Sequence, residues 1–329
     1  MRGRPRPGHA LTRAVAPALF AGLAVGLPAP DDAPFGLSKR ASATPTTSAL
    51  VSANDVVFRL RSAESSMVKI RGGMFHMGST EAETIEATLM GAREHMDRTD
   101  ASRFANELPQ HIVFLSAYWL DRFEVTVAAY EHCVRLRRCE PVPYAEGAAR
   151  FRRPRLPASL VRWGDAFDYC RFVGKRLPTE AEFERAARGL TGRRYPWGNL
   201  FNSHVANHGR RGLSQTDDRD GFPELAPVGS FPSGRTPDGI ADLSGNVAEW
   251  VLDRYAAPYP RGPVTDPEGP AGPTPTNSRV FRGGHYMSAA PFVRAAARDH
   301  AEPDTRSPTL GFRCSRSAAL RKPPERATP

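Results

Sequence analysis

Residues 178–189 read Pro-Thr-Glu-Ala-Glu-Phe-Glu-Arg-Ala-Ala-Arg-Gly. The Thr179 hydroxyl can accept a hydrogen bond from the backbone N–H of Glu182 while the Glu182 carboxylate reaches back, which is a capping box. Gly189 can take the left-handed conformation that commonly ends a helix. The stretch therefore predicts a short helix with a defined start and a defined end.

Regular structure is predicted on both sides of this helix, but it is unevenly distributed. Nearly a hundred residues dense in Gly, Pro, Asn and Asp follow Gly189, and so long an irregular stretch is unusual inside a compact domain. Something other than regular secondary structure must stabilise it. Strands are predicted near residues 68–70 and 74–78, as a pair of strands over residues 112–125, and again near residues 279–286, 293–298 and 310–315. Further helices are predicted over residues 81–105, 126–137 and 163–173.

The composition is that of a folded chain. Hydrophobic residues make up 40% of the 329, enough to bury a large core. The 28 Gly and 31 Pro residues are more than usual but fewer than in a disordered chain. Collagen-like, coiled-coil and polytopic membrane proteins are excluded.

The positive charge is concentrated at the two ends of the chain. The formal net charge is +10, of which +4 lies in residues 1–13 and +3 in residues 316–329. The rest of the chain is only +3 and carries no nucleic-acid-binding motif. We therefore expect no nucleic-acid partner.

The N-terminus has the three zones of a secretory signal peptide: arginines, an apolar run over residues 14–27, and a segment rich in Pro and Asp. The run is too short to span the roughly 30 Å hydrocarbon core of a bilayer comfortably. We predict a signal peptide over residues 1–29, a disordered linker over residues 30–66, and a secreted or periplasmic product with no membrane association after cleavage. A retained anchor helix is the alternative.

If the protein is exported, its four cysteines are expected to form disulfides, because an oxidising compartment favours them. No C-x-x-C pair occurs, which disfavours a zinc ribbon. Four cysteines allow three pairings, and the residues alone do not select one. The cysteines are Cys133, Cys139, Cys170 and Cys314.

Eight short motifs follow one another between residues 70 and 314. They are Ile70–Gly78, Glu107–His111, Phe123–Thr126, Gly174–Glu184, Tyr195–Asn199, Asp242–Trp250, Arg282–Gly284 and Gly311–Cys314. In this order they resemble the sulfatase-modifying-factor family, whose namesake is the formylglycine-generating enzyme.

The resemblance spans residues 67–316 and implies one irregular α+β domain. Its fold would be a variant of the C-type-lectin fold with little regular secondary structure, held together by bound calcium and disulfides. That would explain how the Gly/Pro-rich middle is stabilised. Residues 317–329 would then be a basic tail, and we expect a monomer.

The resemblance also implies a disulfide pattern. Family members bridge the cysteine of the helix before Gly-Lys-Arg-Leu-Pro to the cysteine of Gly-Phe-Arg-Cys, which would pair Cys170 with Cys314 and leave Cys133 with Cys139. A second long bridge of the animal enzyme would fall at Ala187 and Ala295, where both cysteines are missing together.

Calcium takes six to eight oxygen ligands, which a loop can supply by alternating side chains and backbone carbonyls. Residues 242–249 have that character, with a carboxylate at each end and a glycine between them. The alternative is that Asp242 and Asn246 only form turns and Glu249 is a solvated helix residue. The resemblance implies two calcium ions. The first would be held by the side chains of Asp242 and Glu249 and the carbonyls of Gly245 and Val247. The second would be held by the side chains of Asn207 and Asp220 and the carbonyls of His208 and Phe222.

His204 and His208 could be mistaken for a transition-metal pair at i and i+4. No third ligand is evident near them, so we do not favour this site.

The resemblance is incomplete where the enzyme's chemistry lies. The formylglycine-generating enzyme oxidises a substrate cysteine with copper(I) held by two thiolates after an Arg/Lys-Gly-Gly motif, and copper(I) requires such soft ligands. Here Ser288 stands at the first thiolate, the second has no counterpart, and no cysteine lies between Cys170 and Cys314. His285 replaces a small hydroxyl residue of the pocket, and Ala248 replaces an aromatic one. We expect no copper.

Three functions remain. The first is a calcium-braced binding or structural module for an unknown protein, peptide or small-molecule ligand. The second is an enzyme whose cleft is adapted to another reaction, since some exported family members in siderophore maturation are considered to work without copper. His285 could then act as a general acid or base, and the candidate catalytic residues are His285, Ser288, Arg282 and Arg313. The third is residual formylglycine generation.

The family also has ergothioneine-type relatives, which carry iron on a helical domain placed before this one. Residues 31–66 are too short for such a helical bundle, so we do not expect that chemistry.

Overall fold

The computed structural model describes residues 67–93, 98–144, 147–210, 215–270 and 272–318, which all belong to one compact unit. The predicted signal peptide (1–29), the predicted linker (30–66) and the tail from residue 319 onward lie outside the described residues. No helix within the described ranges is long and apolar enough to cross a membrane.

Four α-helices lie in the described part of the chain. The first three are α1 (Glu81–Arg93), α2 (Val127–Arg135) and α3 (Trp163–Phe172), and the fourth, α4 (Glu180–Arg188), is the helix predicted from the capping box. Thr179 caps α4 as expected, Glu182 completes the capping box, and Gly189 ends the helix at φ 68°. Short 3₁₀ turns cover Arg98–Glu107, Ala149–Phe151, Pro232–Gly234 and Ala290–Val293.

The strands are short and form several small sheets. Strands β1 (Met67–Ile70), β4 (Tyr118–Asp121) and β12 (Ser315–Ser317) form one sheet in the order β1-β4-β12. Strands β2 (Gly73–Met77), β3 (His111–Leu115) and β8 (Val264–Thr265) form another in the order β2-β3-β8. The largest, ordered β10-β9-β7-β11, combines β7 (Ala248–Arg254), β9 (Arg279–Arg282), β10 (Arg298–Ala301) and β11 (Leu310–Gly311), while β5 (Gly209–Arg210) pairs with β6 (Gln215–Thr216).

Helix α4 is buried along its whole length even though five of its nine residues are charged. Its acidic side chains are therefore all paired, because an unpaired buried charge is very costly. Glu180 binds Arg298, Glu184 binds Arg282, and Glu182 binds Arg176. These ion pairs attach the helix to strands β9 and β10 and to the chain just before it.

Both disulfides implied by the family resemblance are present, Cys133–Cys139 and Cys170–Cys314. The second joins α3 to the segment between β11 and β12, inside a hydrophobic cluster that includes Trp250. Ala187 and Ala295, where the further bridge of the animal enzyme would fall, are both buried in another cluster. Two small apolar side chains occupy those positions.

Several local predictions were wrong in detail. The strands near residues 112–125 do not pair with each other, because β3 joins β2 and β4 joins β1. Residues 293–298 are not a strand, and β10 begins at Arg298 instead. The seven-residue strand β7 was not predicted, and its Glu249 is completely buried rather than a solvated helix residue.

Candidate functional site

Asn246 links the two predicted calcium sets. It lies in the tight loop before β7 with φ 61°, and its backbone N–H donates to the Asn207 carbonyl at 2.8 Å. Its side-chain Nδ2 donates to Glu124 Oε1 at 2.9 Å, and its Oδ1 accepts from Asn207 Nδ2 at 3.2 Å. From the sequence, Asn246 is predicted only as a turn former and Glu124 has no predicted role, although both lie in the motifs quoted above.

The set comprising Asn207, His208, Asp220 and Phe222 forms a compact polar loop. Asp220 accepts from the backbone N–H of His208 at 3.2 Å and from that of Phe222 at 2.8 Å. Asn207 is 1% exposed, and its Nδ2 donates to the Glu224 carbonyl at 2.7 Å. Its Oδ1 is a buried oxygen with no hydrogen-bond partner. Such an orphaned oxygen fits a position that a cation would occupy.

The set comprising Asp242, Gly245, Val247 and Glu249 curves into the start of β7. Asp242 Oδ2 accepts from the Gly229 N–H at 2.6 Å, and Gly245 adopts φ 88° where the chain turns. Glu249 accepts from Arg313 Nε and Nη2 at 2.7 and 2.6 Å. A carboxylate retains further lone pairs after such a bidentate contact.

Negative charge predominates around this second set. Glu124, Asp242 and Glu249 are all buried, and Arg313 is the cation that faces all three. Burial raises the pKa of each carboxyl above its usual range, and the Asp242 charge raises that of Glu124 further. Glu124 Oε2 is a second buried oxygen without a donor from a neighbouring N–H or O–H group, and the Glu124 carboxyl lies against that of Asp242. An added cation would relieve this excess of carboxylates.

The donor chemistry of both sets suits calcium, since every predicted ligand atom is an oxygen and each set has a buried oxygen without a donor in it or beside it. The described ranges contain no group of three or more His, Cys, Asp or Glu side chains that could hold a metal ion. The predicted sets do not require such a group, because half of their ligands are backbone carbonyls. His204 is exposed and His208 buried, on a segment that is not helical, so their spacing does not put them on one helix face.

A groove lies beside three of the candidate catalytic residues, Arg282, His285 and Ser288. A cavity of about 80 Å³ is lined by the chain after β9, including Gly284, His285 and Ser288. A cavity of about 450 Å³ adjoins it and shares Phe292, Ala297, Arg298 and Asp299 with it. Together these two cavities form the groove.

His285 and Ser288 share the groove, but their side chains are not hydrogen-bonded to each other. Ser288 Oγ accepts from the backbone N–H of His285 at 3.0 Å, and the imidazole Nδ1 accepts from the Met287 N–H at 3.2 Å. Burial lowers the pKa of His285 to about 4. The serine thus stabilises a turn, and the imidazole is neutral near pH 7.

The two candidate arginines are engaged elsewhere. Arg282 is buried, pairs with Glu184, and donates to the carbonyls of Ala295 and Ala296. Arg313 is 0% exposed, binds Glu249, and does not line the groove. The four nominated residues therefore do not converge: three line the groove, and Arg313 belongs to the carboxylate cluster.

The residues do not fit a copper(I) site made of two thiolates. The four cysteines of the chain are all in disulfides, so none is a thiolate. The positions after Gly284 offer imidazole, hydroxyl and thioether groups instead of the two thiolates that a copper(I) site of this kind uses.

Comparison with known proteins connects this geometry to a family. A family model described as the sulfatase-modifying factor enzyme 1-like domain matches residues 53–318. The chain is 38% identical over 182 residues to the mouse (Mus musculus) formylglycine-generating enzyme, with 53% of this chain and 47% of that one covered. It is 41% identical over 182 residues to the Streptomyces coelicolor enzyme of that name, with 51% and 55% covered. It thus spans about half the length of these relatives.

Another mouse relative is named inactive C-alpha-formylglycine-generating enzyme 2. It is 38% identical over 187 residues, which cover 55% of each chain.

Two solved structures have the same fold. PvdO from Pseudomonas aeruginosa aligns with a TM-score of 0.56 and 26% identity, over 76% of this chain and 94% of that one. Treponema denticola variable protein 1 aligns with the same TM-score and coverage at 20% identity. The predicted fold class, an α+β domain of the formylglycine-generating-enzyme and C-type-lectin-like kind, is confirmed.

Proposed function

Because the chain belongs to the sulfatase-modifying factor enzyme 1-like family, we propose that it is a calcium-braced binding module of an exported protein and does not generate formylglycine. Its ligand, a protein, peptide or small molecule, would occupy the groove. The two predicted calcium ions would neutralise buried carboxylates and hold the irregular loops that carry the groove.

The observation that carries this proposal is the state of the cysteines. Copper(I) in the family's active enzymes is held by two thiolates, and every sulfur of a cysteine in this chain is already bonded to another. Ser288 cannot replace a thiolate, because a neutral hydroxyl is a hard and weak ligand for copper(I). The mouse relative named as inactive supports the idea that this domain can be kept without its oxidase activity.

The disulfides also support export. Bridges of this kind persist in oxidising compartments and are rare in the cytosol. We therefore propose a secreted or periplasmic location, with the predicted signal peptide over residues 1–29 removed.

The calcium proposal rests on two buried oxygens. Asn207 Oδ1 belongs to one predicted ligand set and is buried without a partner, and Glu124 Oε2, buried without a donor, belongs to a carboxyl that lies against Asp242 of the other set. Asn207, Asp220 and the carbonyls of His208 and Phe222 would hold one ion. Asp242, Glu249 and the carbonyls of Gly245 and Val247 would hold the other.

The groove gives little support to an enzyme rebuilt around His285. A nucleophilic serine would have to hydrogen-bond the imidazole, and Ser288 instead accepts from the backbone of His285. Arg282 is held by Glu184 and by two carbonyls, and its unpartnered Nε is buried, so its guanidinium is not exposed to a substrate. A binding role needs none of these groups to react.

The test is to incubate the copper-loaded protein with a Cys-x-Pro-x-Arg peptide and to follow the peptide mass. We expect no change, while the Streptomyces coelicolor relative, treated in the same way, provides the positive control. Conversion of the cysteine by this chain would overturn the proposal.

A further inference from the structure

We propose that His285 is held in the tautomer with its proton on Nε2, so that it serves the groove as a hydrogen-bond donor to a neutral carbonyl group of the ligand. This deepens the proposed binding function and rests on it. It replaces the acid–base role that the sequence suggests for this residue.

The tautomer follows from one contact. A backbone N–H can only donate, and the Met287 N–H points at His285 Nδ1 at 3.2 Å. Nδ1 must therefore carry a lone pair, and in a neutral imidazole the single proton is then on Nε2. The turn that makes this contact is itself fixed, because the His285 N–H donates to Ser288 Oγ at 3.0 Å.

Nε2 remains available to a ligand. In the described part of the chain, no group forms a hydrogen bond with Nε2. The atom is also not among the fully buried polar atoms that lack a partner, so a ligand can reach it. His285 lines the smaller cavity of the groove, whose volume of about 80 Å³ is that of two to three water molecules. A hydrogen-bond donor at the wall of this cavity favours an acceptor group on the ligand.

The surrounding charges favour a neutral acceptor over a carboxylate. Arg282 and Arg298 line the cavity, but each is already paired, with Glu184 and Glu180 respectively. The remaining charged group in the lining is the carboxylate of Asp299, which repels an anion. Phe281, Phe292 and Ala297 make the rest of the lining largely apolar. An amide carbonyl, as in a peptide backbone, matches this environment.

The tautomer is tested by long-range ¹H–¹⁵N NMR of the imidazoles in the full chain. We expect His285 to show a protonated Nε2 and an unprotonated Nδ1 at pH 7, and to remain in that form from pH 8 down to pH 5. The charged groups that line the cavity with it are Arg282, Arg298 and Asp299. A protonated Nδ1 would overturn the inference.

The ligand class is tested with two small probes, N-methylacetamide and acetate, added separately to the labelled protein. We expect N-methylacetamide to shift the His285 Nε2 resonance and acetate to leave it unchanged. His285→Gln keeps a side-chain N–H donor and should bind N-methylacetamide nearly as well, whereas His285→Phe should bind it about two- to tenfold more weakly. His76→Phe, on the exposed face of β2, is the matched control and should have no effect.

An equal response to acetate, or no response to either probe, would overturn the inference. Neither result would affect the proposed lack of formylglycine generation, which depends only on the peptide conversion assay. The two ideas can therefore fail separately.

Discussion

Arg313 shows at the scale of one residue how a side chain within a family motif can have a structural role. Its guanidinium is completely buried, and it donates to both carboxylate oxygens of Glu249 and to the carbonyls of Asp121 and Ala241. Burial would lower its pKa, but the Glu249 charge raises the pKa above the ordinary value. It is thus a permanent cation inside a cluster of carboxylates.

Arg313→Ala should destabilise the protein strongly, because it leaves Glu249 buried and unpaired. We expect a loss of about 3–5 kcal/mol in the free energy of unfolding, measured by urea denaturation. The matched control is Arg150→Ala, whose ion pair with Glu224 is exposed to solvent and should contribute far less to stability. Equal effects of the two substitutions would contradict the structural role of Arg313.

At this scale, the sequence indicates which polar residues are important more readily than it indicates what each of them does. Arg282 and Arg313 were nominated as catalytic because they flank the family's chemistry, but their neighbours in the fold hold both in ion pairs. The roles of Glu124 and Asn246 were not predicted. These two residues hydrogen-bond each other, but they lie 122 residues apart in the chain. A hydrogen bond of that span leaves no local pattern.

At the scale of elements, the loop before β7 depends on the absence of a side chain at Gly245. The residue adopts φ 88°, and a Cβ there would overlap the backbone carbonyl of Asn207. Both conditions can be met only by glycine, and the loop carries one of the predicted calcium sets.

Gly245→Ala should therefore cost much more than an ordinary left-handed glycine. The matched control is Gly262→Ala, with φ 95° and open space around the added Cβ, which should cost about 1–2 kcal/mol. We expect Gly245→Ala to exceed that by several kcal/mol or to prevent folding, as judged by thermal unfolding and soluble yield. If the two variants behave alike, the close approach to Asn207 is not important.

Elements with local signals were predicted and those without were not. Helix α4 was predicted with its cap residues because Thr179, Glu182 and Gly189 act within one short stretch. Strand β7 was missed because it lies inside a Gly/Pro-rich region and has no polar alternation, since both of its faces are largely buried.

At the scale of the whole molecule, the two disulfides should contribute unequally. The bridge Cys170–Cys314 closes a separation of 144 residues and Cys133–Cys139 one of 6. Loop-closure entropy predicts about 5 and about 2 kcal/mol of stabilisation, respectively.

We expect Cys170→Ser/Cys314→Ser to lower the free energy of unfolding by more than Cys133→Ser/Cys139→Ser, with denaturant unfolding as the measurement. Each double variant serves as the control for the other, because both replace two buried or half-buried sulfurs with hydroxyls. The opposite order would contradict the expectation.

Calcium removal is the second prediction at this scale. If the ions brace the loops, EDTA should lower Tm by several degrees, since a loss of 1 kcal/mol lowers the Tm of a domain this large by about 2–4 °C. Added calcium should restore Tm and magnesium should not, because magnesium demands a tighter octahedral site.

Asn207→Ala should lower Tm in calcium and reduce the response to EDTA. Asn202→Ala, at an exposed position in the same irregular region, is the matched control and should respond to EDTA as the unchanged protein does. A Tm that is insensitive to EDTA in the unchanged protein would refute the calcium proposal.

The sequence by itself determined the family, the fold class, the α4 helix and the absence of a thiolate pair, because these depend on residue identity and short-range spacing. The disulfide pairing needed the family resemblance as well. Only the tertiary structure decided that Arg282 and Arg313 are held in ion pairs, that Asn246 connects Glu124 to Asn207, and that His285 accepts a backbone N–H. The physical reason is that the role of a polar side chain depends on its partners and its burial, which the folded chain supplies from residues distant in sequence.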